Sequence, residues 1–348
     1  MKRKSLFAAL ALCLLLSAAG CNTAAPAETP SPSPTPAQNE TAEPAETPKS
    51  HYPVDIITYN YAGEEVATTY EKAPERVLAV YQGSIETLIV LGLEDSVFAS
   101  YGLDNEVKDE WKDAFSRMNY DESVFAPDRE TVMTMQPDLI LSWGSLFGEK
   151  TLGDVDYWHA NGTNTYINSN TRAGGARILE NEFTDILNIG KIFDVEDRAE
   201  AFLNQMRADI ETTRAAVAAE PTVPTVAILG FYTDGIRNFG LELAGDIAGS
   251  LGVEVMQSAE RYIGKEDLVA ANPDVIFVEY MPRPDGGGDA VRDEQLAKLL
   301  DDPALASLSA VQNGKVYAIM LGDIYAPAVR TGDGIRTIAE GLFPGIFG

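Results

Sequence analysis

Glu130-Thr-Val-Met-Thr-Met-Gln-Pro137-Asp138-Leu139-Ile-Leu-Ser-Trp143 is matched further along the chain by Glu266-Asp-Leu-Val-Ala-Ala-Asn-Pro273-Asp274-Val275-Ile-Phe-Val-Glu-Tyr280. Each copy runs glutamate, six residues, Pro-Asp, then an aliphatic stretch. Each reads as a short helix opened by the glutamate, followed by a buried strand. What precedes the copies also matches. Val77-Leu-Ala-Val80, then Tyr81-Gln82-Gly83, leads to a helix that ends at Leu91-Gly92-Leu93. Val226-Ala-Ile-Leu229, then Gly230-Phe231-Tyr232, leads to one that ends at Leu251-Gly252-Val253. Two halves with the same order of elements follow. Short apolar strands that alternate with helices make α/β lobes with parallel sheets covered on both faces.

Between the halves, Val195, Ala199, Phe202, Met206 and Ile210 recur at spacings of three and four, the period of a one-faced helix. The stretch from about Val195 to Val217 contains no Gly or Pro, Asp194 stands where an N-cap belongs, and Pro221 lies beyond the end. A helix of that length between two similar lobes is a rigid strut.

The ends of the chain are of another kind. Lys2, Arg3 and Lys4 precede an apolar run from Leu6 to Leu16, too short to span a bilayer, and Ala18-Ala19-Gly20 stands directly before Cys21. This start resembles a bacterial lipobox, in which Cys21 is acylated after residues 1–20 are removed. The following Pro, Thr, Ala and Glu stretch cannot bury enough surface to offset its ordering entropy and reads as a tether. The expected organisation is a signal peptide (1–20), a lipid-anchored linker (21–51), an N-terminal lobe (52–193), a connecting helix (194–220) and a C-terminal lobe (221–348). The expected location is the outer face of a bacterial cell membrane.

Composition narrows the chemistry. The cysteines are Cys13 and Cys21, so the folded body has no thiol for a disulfide, a cysteine nucleophile or a Cys-ligated metal. With only His51 and His159, a three-histidine metal site is excluded within one chain. No cofactor, catalytic residue or resident metal site is expected. Removing residues 1–20 takes away three of the 26 Lys and Arg and none of the 53 Asp and Glu, leaving a net charge of −30. That balance argues against nucleic acid, whose binding rests on basic residues. An anionic ligand must be met by a local set of arginines.

Ala73-Pro-Glu-Arg-Val-Leu-Ala-Val80, Glu86-Thr-Leu-Ile-Val-Leu-Gly92, the two Glu to Pro-Asp copies and Ser307-Leu-Ser-Ala-Val-Gln-Asn-Gly-Lys-Val-Tyr317 together resemble a known family over roughly residues 52–346. It is the class III solute-binding proteins of ABC importers, which handle ferric siderophores, haem and cobalamin. The resemblance implies two Rossmann-like lobes, a connecting backbone helix, a cleft between the lobes and an ABC permease as partner. It further implies that one exposed glutamate per lobe, here Glu130 and Glu266, pairs with permease arginines.

In open parallel sheets ligands bind beyond the carboxyl ends of the strands. The residues there are Tyr81, Gln82, Trp143, Asn168 and Arg172 in the first half, and Tyr232, Arg237, Tyr280, Arg283, Tyr325 and Arg330 in the second. Aromatic faces with planar, charge-assisted donors suit a bulky, partly anionic, conjugated ligand. A ferric siderophore fits the count of arginines best. Haem, with His159 or a tyrosine as axial ligand, and cobalamin are the alternatives. A hydrolase would pair Glu130 with Glu266 as acid and base. Both open helices just ahead of a strand, which places them at the amino ends of the sheets, away from the cleft. The chain also lacks Gly-x-Gly-x-x-Gly, Gly-x-Ser-x-Gly and P-loop motifs.

Overall fold

Val77-Leu78-Ala79-Val80 is buried along its whole length, as a strand covered on both faces must be. It is β3 of the computed structural model, which describes residues 51–348 apart from Ala259 and residues 283–286. Cys21 and the segments around it lie outside the described residues. The strands are β1 (Val54–Tyr59), β2 (Glu65–Tyr70), β3 (Val77–Val80), β4 (Val97–Tyr101), β5 (Leu139–Ser142) and β6 (Asn164–Ile167), then β7 (Thr225–Tyr232), β8 (Gly235–Asn238), β9 (Glu254–Val255), β10 (Tyr262–Ile263), β11 (Val275–Tyr280) and β12 (Val316–Met320). One sheet has the order β4-β3-β5-β6 and is parallel throughout. The other has the order β10-β8-β7-β11-β12, with β9 also paired to β7.

The second sheet has the expected parallel core, β7, β11 and β12, and adds antiparallel strands at one edge. β7 folds back on β8 as an antiparallel hairpin, and β8 pairs antiparallel with β10. Asp234-Gly235 makes the reversal possible, since Gly235 adopts a positive φ of 140°. The antiparallel pair β1–β2 stands apart from both sheets and was not foreseen.

The repeated Glu to Pro-Asp segment has a local physical cause. In both copies the helix, Arg129–Met135 or Lys265–Ala271, ends on a left-handed residue, Gln136 or Asn272. The proline follows, and the aspartate then accepts backbone N–H groups from the start of the neighbouring strand. Asp138 takes those of Glu75 and Arg76 at 2.8 and 2.9 Å, and Asp274 takes that of Thr225 at 2.9 Å. The motif thus fixes where each central strand begins.

The long helix is Glu196–Ala219, about 36 Å at 1.5 Å per residue. Its buried stripe is Ala199, Leu203, Met206, Ile210 and Val217, so Leu203 replaces the expected Phe202. Asp194 is not its cap. The chain passes from the preceding helix (Leu179–Ile192) through Asp194 in the left-handed region, and Val195 takes the cap position. The helix holds both halves. Arg198 donates to the carbonyl of Leu91 at 2.8 Å, and Asp209 accepts from Arg336 of the last helix, Thr331–Leu342, at 2.6 Å. One hydrophobic core runs from Val77, Ile85 and Leu139 through Leu203 and Met206 to Val226, Phe277 and Ile335. Leu78, Val80 and Ile140 face a second core, and Ala227, Leu229 and Ile276 a third, so each sheet is packed on both faces.

After β12 the segment Leu321–Arg330 crosses back to the first lobe. Ala328 N–H donates to Glu182 at 2.8 Å, and Arg330 clamps Glu86 with Nε and Nη2 at 2.7 and 2.6 Å. Glu182 lies wholly buried beside Asp185. Burial first, and the charge of Asp185 second, push its carboxyl up, and burial pushes Asp323 up to about 8. Unfolded carboxyls titrate near 4. Between that value and about pH 8 the folded chain holds protons that the unfolded chain has released, so stability falls as pH rises across the interval. The thermal midpoint should be higher at pH 5.5 than at pH 8.5, and Glu182→Gln should flatten the slope. A midpoint that climbs over that range contradicts these buried acids.

Candidate ligand-binding cleft

Three aromatic side chains from strand exits in both lobes meet. Tyr81 follows β3 and Trp143 follows β5, and their ring centroids are 3.7 Å apart. Tyr325, on the crossing segment of the second lobe, is 6.2 Å from Trp143. With Asp104, Asn105, Met281, Leu321 and Gly322 they enclose a cavity of about 120 Å³. Tyr81 sits at φ 86°, ψ 150°, a region that side chains rarely enter and that costs on the order of 1–3 kcal/mol. Its N–H donates to Tyr101 O at 2.8 Å and its hydroxyl to Asp104 at 2.5 Å, which hold the ring against Trp143. Burial and the adjacent Asp104 push the phenol up, so it stays a neutral donor.

The antiparallel return of β8 brings Arg237 opposite Gly230, at the carboxyl end of β7. Its Nη2 donates to both oxygens of Glu242 at 2.9 and 3.1 Å. Arg177 reaches the same carboxylate at 3.3 Å and Arg261 at 3.4 Å. Three guanidinium groups therefore share one carboxylate, and the cluster keeps an excess of positive charge. Arg177 also lies 4.1 Å over the Tyr325 ring, and Arg237 lies 5.5 Å from it. Trp143 Nε1, Arg172 Nε and Arg237 Nε are buried N–H donors with no acceptor among the described residues. Buried polar groups are rarely left unpaired, and these three donors stand at strand exits.

The eleven strand-exit residues named above divide into groups. Tyr81, Trp143, Tyr325 and Arg237 converge. Arg172 lies beside Gly144 at the exit of β5 and stacks on Tyr59 at 4.5 Å. Tyr232 is exposed, and its hydroxyl donates to Glu279 at 2.9 Å. Tyr280 lines a separate cavity of about 370 Å³. Arg283 lies outside the described residues. Two side chains are engaged within the fold. Gln82 donates to Glu86 at 2.6 Å and accepts from Asp104 N and Asn105 N at 3.2 Å, so it positions the β4 exit loop. Arg330, 4% exposed, has its guanidinium on Glu86 and on the Glu106 carbonyl, which makes it an inter-lobe clamp, and it lies in the wall of the cavity that Tyr280 lines. Asn168, also at an exit, is buried and accepts from Ser84 at 3.3 Å.

Arg177 and Arg261 were missed. Arg177 stands five residues past Arg172 in the same loop, so reading that loop to its end would have found it. Arg261 arrives only through the β8–β10 pairing, which carries no signal in the sequence.

Glu130 and Glu266 each lie in the first turn of their helix, exposed, and without an ion pair among the described residues. Their expected place at the amino edge is corrected. Phe125, just ahead of the first helix, packs against Tyr81 at a strand exit, with ring centroids 5.9 Å apart. The helix then runs back to Asp138 at the amino edge, so its first turn lies toward the carboxyl side. In the second lobe Tyr262, ahead of the Glu266 helix, is level with Arg237. A helix that returns antiparallel to its strands starts where the previous strand ended. His159 bonds Thr165 within β6 at 2.9 Å, on the flank of the sheet and away from the exits. Among the described residues one group of metal-ligating side chains draws together: His51 with Asp194 and Glu196 at 3.3 and 3.6 Å, at the head of the long helix and not in the cleft.

Residues 77–320 match the family model described as Periplasmic binding protein. A periplasmic binding protein from Veillonella parvula DSM 2008 is 30% identical, with a TM-score of 0.78 over 85% of this chain and 93% of that one. The petrobactin-binding protein YclQ of Bacillus subtilis (strain 168) is 25% identical over 272 residues, 75% of this chain and 79% of that one. The periplasmic catecholate-siderophore binding protein VctP of Vibrio cholerae shares the fold, at 16% identity and a TM-score of 0.60 over 83% of this chain and 99% of that one.

Proposed function

Because the chain belongs to the periplasmic binding protein family, as a class III solute-binding protein of ABC transporters, we propose that it captures a ferric siderophore between its lobes and delivers it to the permease. Proteins of this kind bind a substrate for a transporter and are not enzymes, so Glu130 and Glu266 are not an acid–base pair. The observation that carries the ligand reading is the arginine cluster around Glu242 against the Tyr325, Trp143 and Tyr81 rings. Ferric catecholates and related chelates are anionic, rich in oxygen acceptors and flanked by flat conjugated rings. Guanidinium groups meet the oxygens, aromatic faces meet the rings, and the idle N–H donors gain acceptors. The petrobactin-binding relative supports the same class of ligand. Native mass spectrometry of protein purified from iron-poor medium should reveal a bound iron chelate. Haem or cobalamin in its place would overturn the siderophore reading.

The functional units are the lobes 52–193 and 221–348 on the connecting helix 194–220. In this reading the protein is held on the outer face of the cell membrane by lipidated Cys21. No helix among the described residues is long and apolar enough to cross a membrane. Since one acyl chain binds only marginally, a diacylglyceryl group is expected. Cys21→Ser should move the protein from the membrane fraction to the medium with its affinity intact, and an unmodified Cys21 in the native protein would refute the anchor.

Docking is assigned to Glu130 and Glu266, one exposed carboxylate per lobe on a shared rigid frame. Such charges govern orientation and encounter more than affinity. Reversing both to arginine should abolish uptake in cells while thermal midpoint and ligand affinity hold, because like charges would face each other at the permease. Normal uptake at normal expression would return both residues to the role of helix-end carboxylates, worth a few tenths of a kcal/mol.

A further inference from the structure

The sheet orders set the two ends of the cleft apart. β6 is one edge of the first sheet and β4 the other, while β10 and β8 lie at one edge of the second sheet and β12 at the other. Arg172 and Arg177 follow β6, and Arg237 and Arg261 lie on β8 and beside β10. Arg177 and Arg237 meet across the lobes on Glu242. At the opposite end Asn105 and Glu106 follow β4 and face Tyr280 and Met320, the last residues of β11 and β12, and Asn105 packs against Gly322. That end holds the cavity of about 370 Å³, and Asn105 is also in the wall of the aromatic cavity. The two spaces are neighbours across a single residue.

Their polar lining is opposite in sense. The arginine end has idle donors. The β4 end has an idle acceptor, Asn105 Oδ1, on a residue only 2% exposed. The orientation of that amide is fixed, because Nδ2 donates to Asp104 at 2.7 Å and the reverse placement would set oxygen against a carboxylate. The charges agree. Arg330 and Asp289 are both in the wall of this cavity, and each is paired, Arg330 with Glu86 and Asp289 with Arg292. The Glu106 carboxylate has no ion pair among the described residues and sets the local sign. Tyr280 adds an aromatic ring, whose face attracts cations.

A buried acceptor with no donor and a carboxylate with no ion pair among the described residues, beside an aromatic ring, are jointly met by a protonated amine. We propose that the Asn105–Glu106–Tyr280 end of the cleft is an ammonium subsite, and that the ligand is amphoteric. Its iron chelate lies against the arginines, and an arm that ends in a primary or secondary ammonium reaches past Asn105. This rests on the ferric-chelate reading of the cleft and adds the class of chelate.

Two probes with one catechol group and arms of equal length separate the claims: the ferric complexes of N-pentyl-2,3-dihydroxybenzamide and of N-(4-aminobutyl)-2,3-dihydroxybenzamide. The aminobutyl complex should bind about tenfold tighter or more, the worth of one charge-assisted hydrogen bond. Glu106→Gln, on an exposed side chain and therefore safe for folding, should shrink that ratio severalfold, and so should 0.5 M salt. Equal affinities in the wild type, or a preference that survives Glu106→Gln, would overturn the ammonium subsite and leave the chelate reading standing. Failure of both complexes to bind would remove the chelate reading and the subsite with it.

Discussion

Replacing Arg177 and Arg237 together by alanine is expected to weaken binding of a ferric catecholate by roughly 10²–10⁴-fold, since each charge-assisted contact is worth about 1.5–3 kcal/mol. The pair is the right target because the two side chains come from different lobes, 60 residues apart in sequence by their numbering, and meet on Glu242. Their loss has a second consequence. Glu242, 8% exposed at its side chain, would keep only the largely exposed Arg261 as partner, so an incompletely neutralised carboxylate would face the anion. Glu242→Gln should act in the opposite direction, because it removes the negative charge, turns one of the two oxygens that accept from Arg237 into a donor, and leaves the cluster more positive. Opposite signs for the two substitutions, measured by titration, would assign the effect to charge. Equal losses from both would assign it to packing and contradict the electrostatic account.

The second large effect concerns stability. Arg330→Met should destabilise the fold by about 3–5 kcal/mol, the usual result of leaving one member of a buried ion pair without its partner. Glu86 is fully buried, and burial pushes its carboxyl up while Arg330 and Gln82 hold it down. Without the guanidinium, Glu86 must protonate or remain charged without compensation. The Glu106 carbonyl loses its donor as well. The double variant Glu86→Leu/Arg330→Met should recover much of the loss, since apolar replacement of a whole buried pair is often close to neutral. Chemical denaturation of the single and double variants tests this. Folded Arg330→Met should still bind ligand with near wild-type affinity, and a large affinity loss without a stability loss would return Arg330 to the ligand site.

The contrast between Arg237 and Arg330 marks the limit of what the sequence discloses. Both follow predicted strands, both stand near aromatic residues, and both were read as ligand contacts. What separates them is Glu86, which lies 244 positions before Arg330 and meets it only after both lobes have formed. The repeated Glu to Pro-Asp segments were legible because their cause is local: a left-handed cap, a proline, and an aspartate that binds the next strand's amides. The parallel core strands were legible for the same reason, as runs buried on both faces. The β7–β8 hairpin was not, although Asp234-Gly235 marks the turn, because the Gly230-Phe231-Tyr232 exit resembled its counterpart in the first half. That hairpin delivers Arg237 and, through β10, Arg261. Asp194 failed as a cap for a geometric reason: two helices meet there at a sharp corner, and the residue in the corner takes the left-handed conformation.

The claim on which the account rests is that an anionic iron chelate binds between the lobes against Trp143. It is tested most directly by fluorescence titration of the soluble Cys21→Ser protein with a ferric catecholate, the iron-free catecholate, haem and cobalamin, with Trp143→Phe as control. Saturable quenching by the ferric complex alone, largely lost in Trp143→Phe while that variant keeps its thermal midpoint, is the predicted result. Saturation by haem or cobalamin with no response to the ferric chelate, or quenching unaltered in Trp143→Phe, would contradict it.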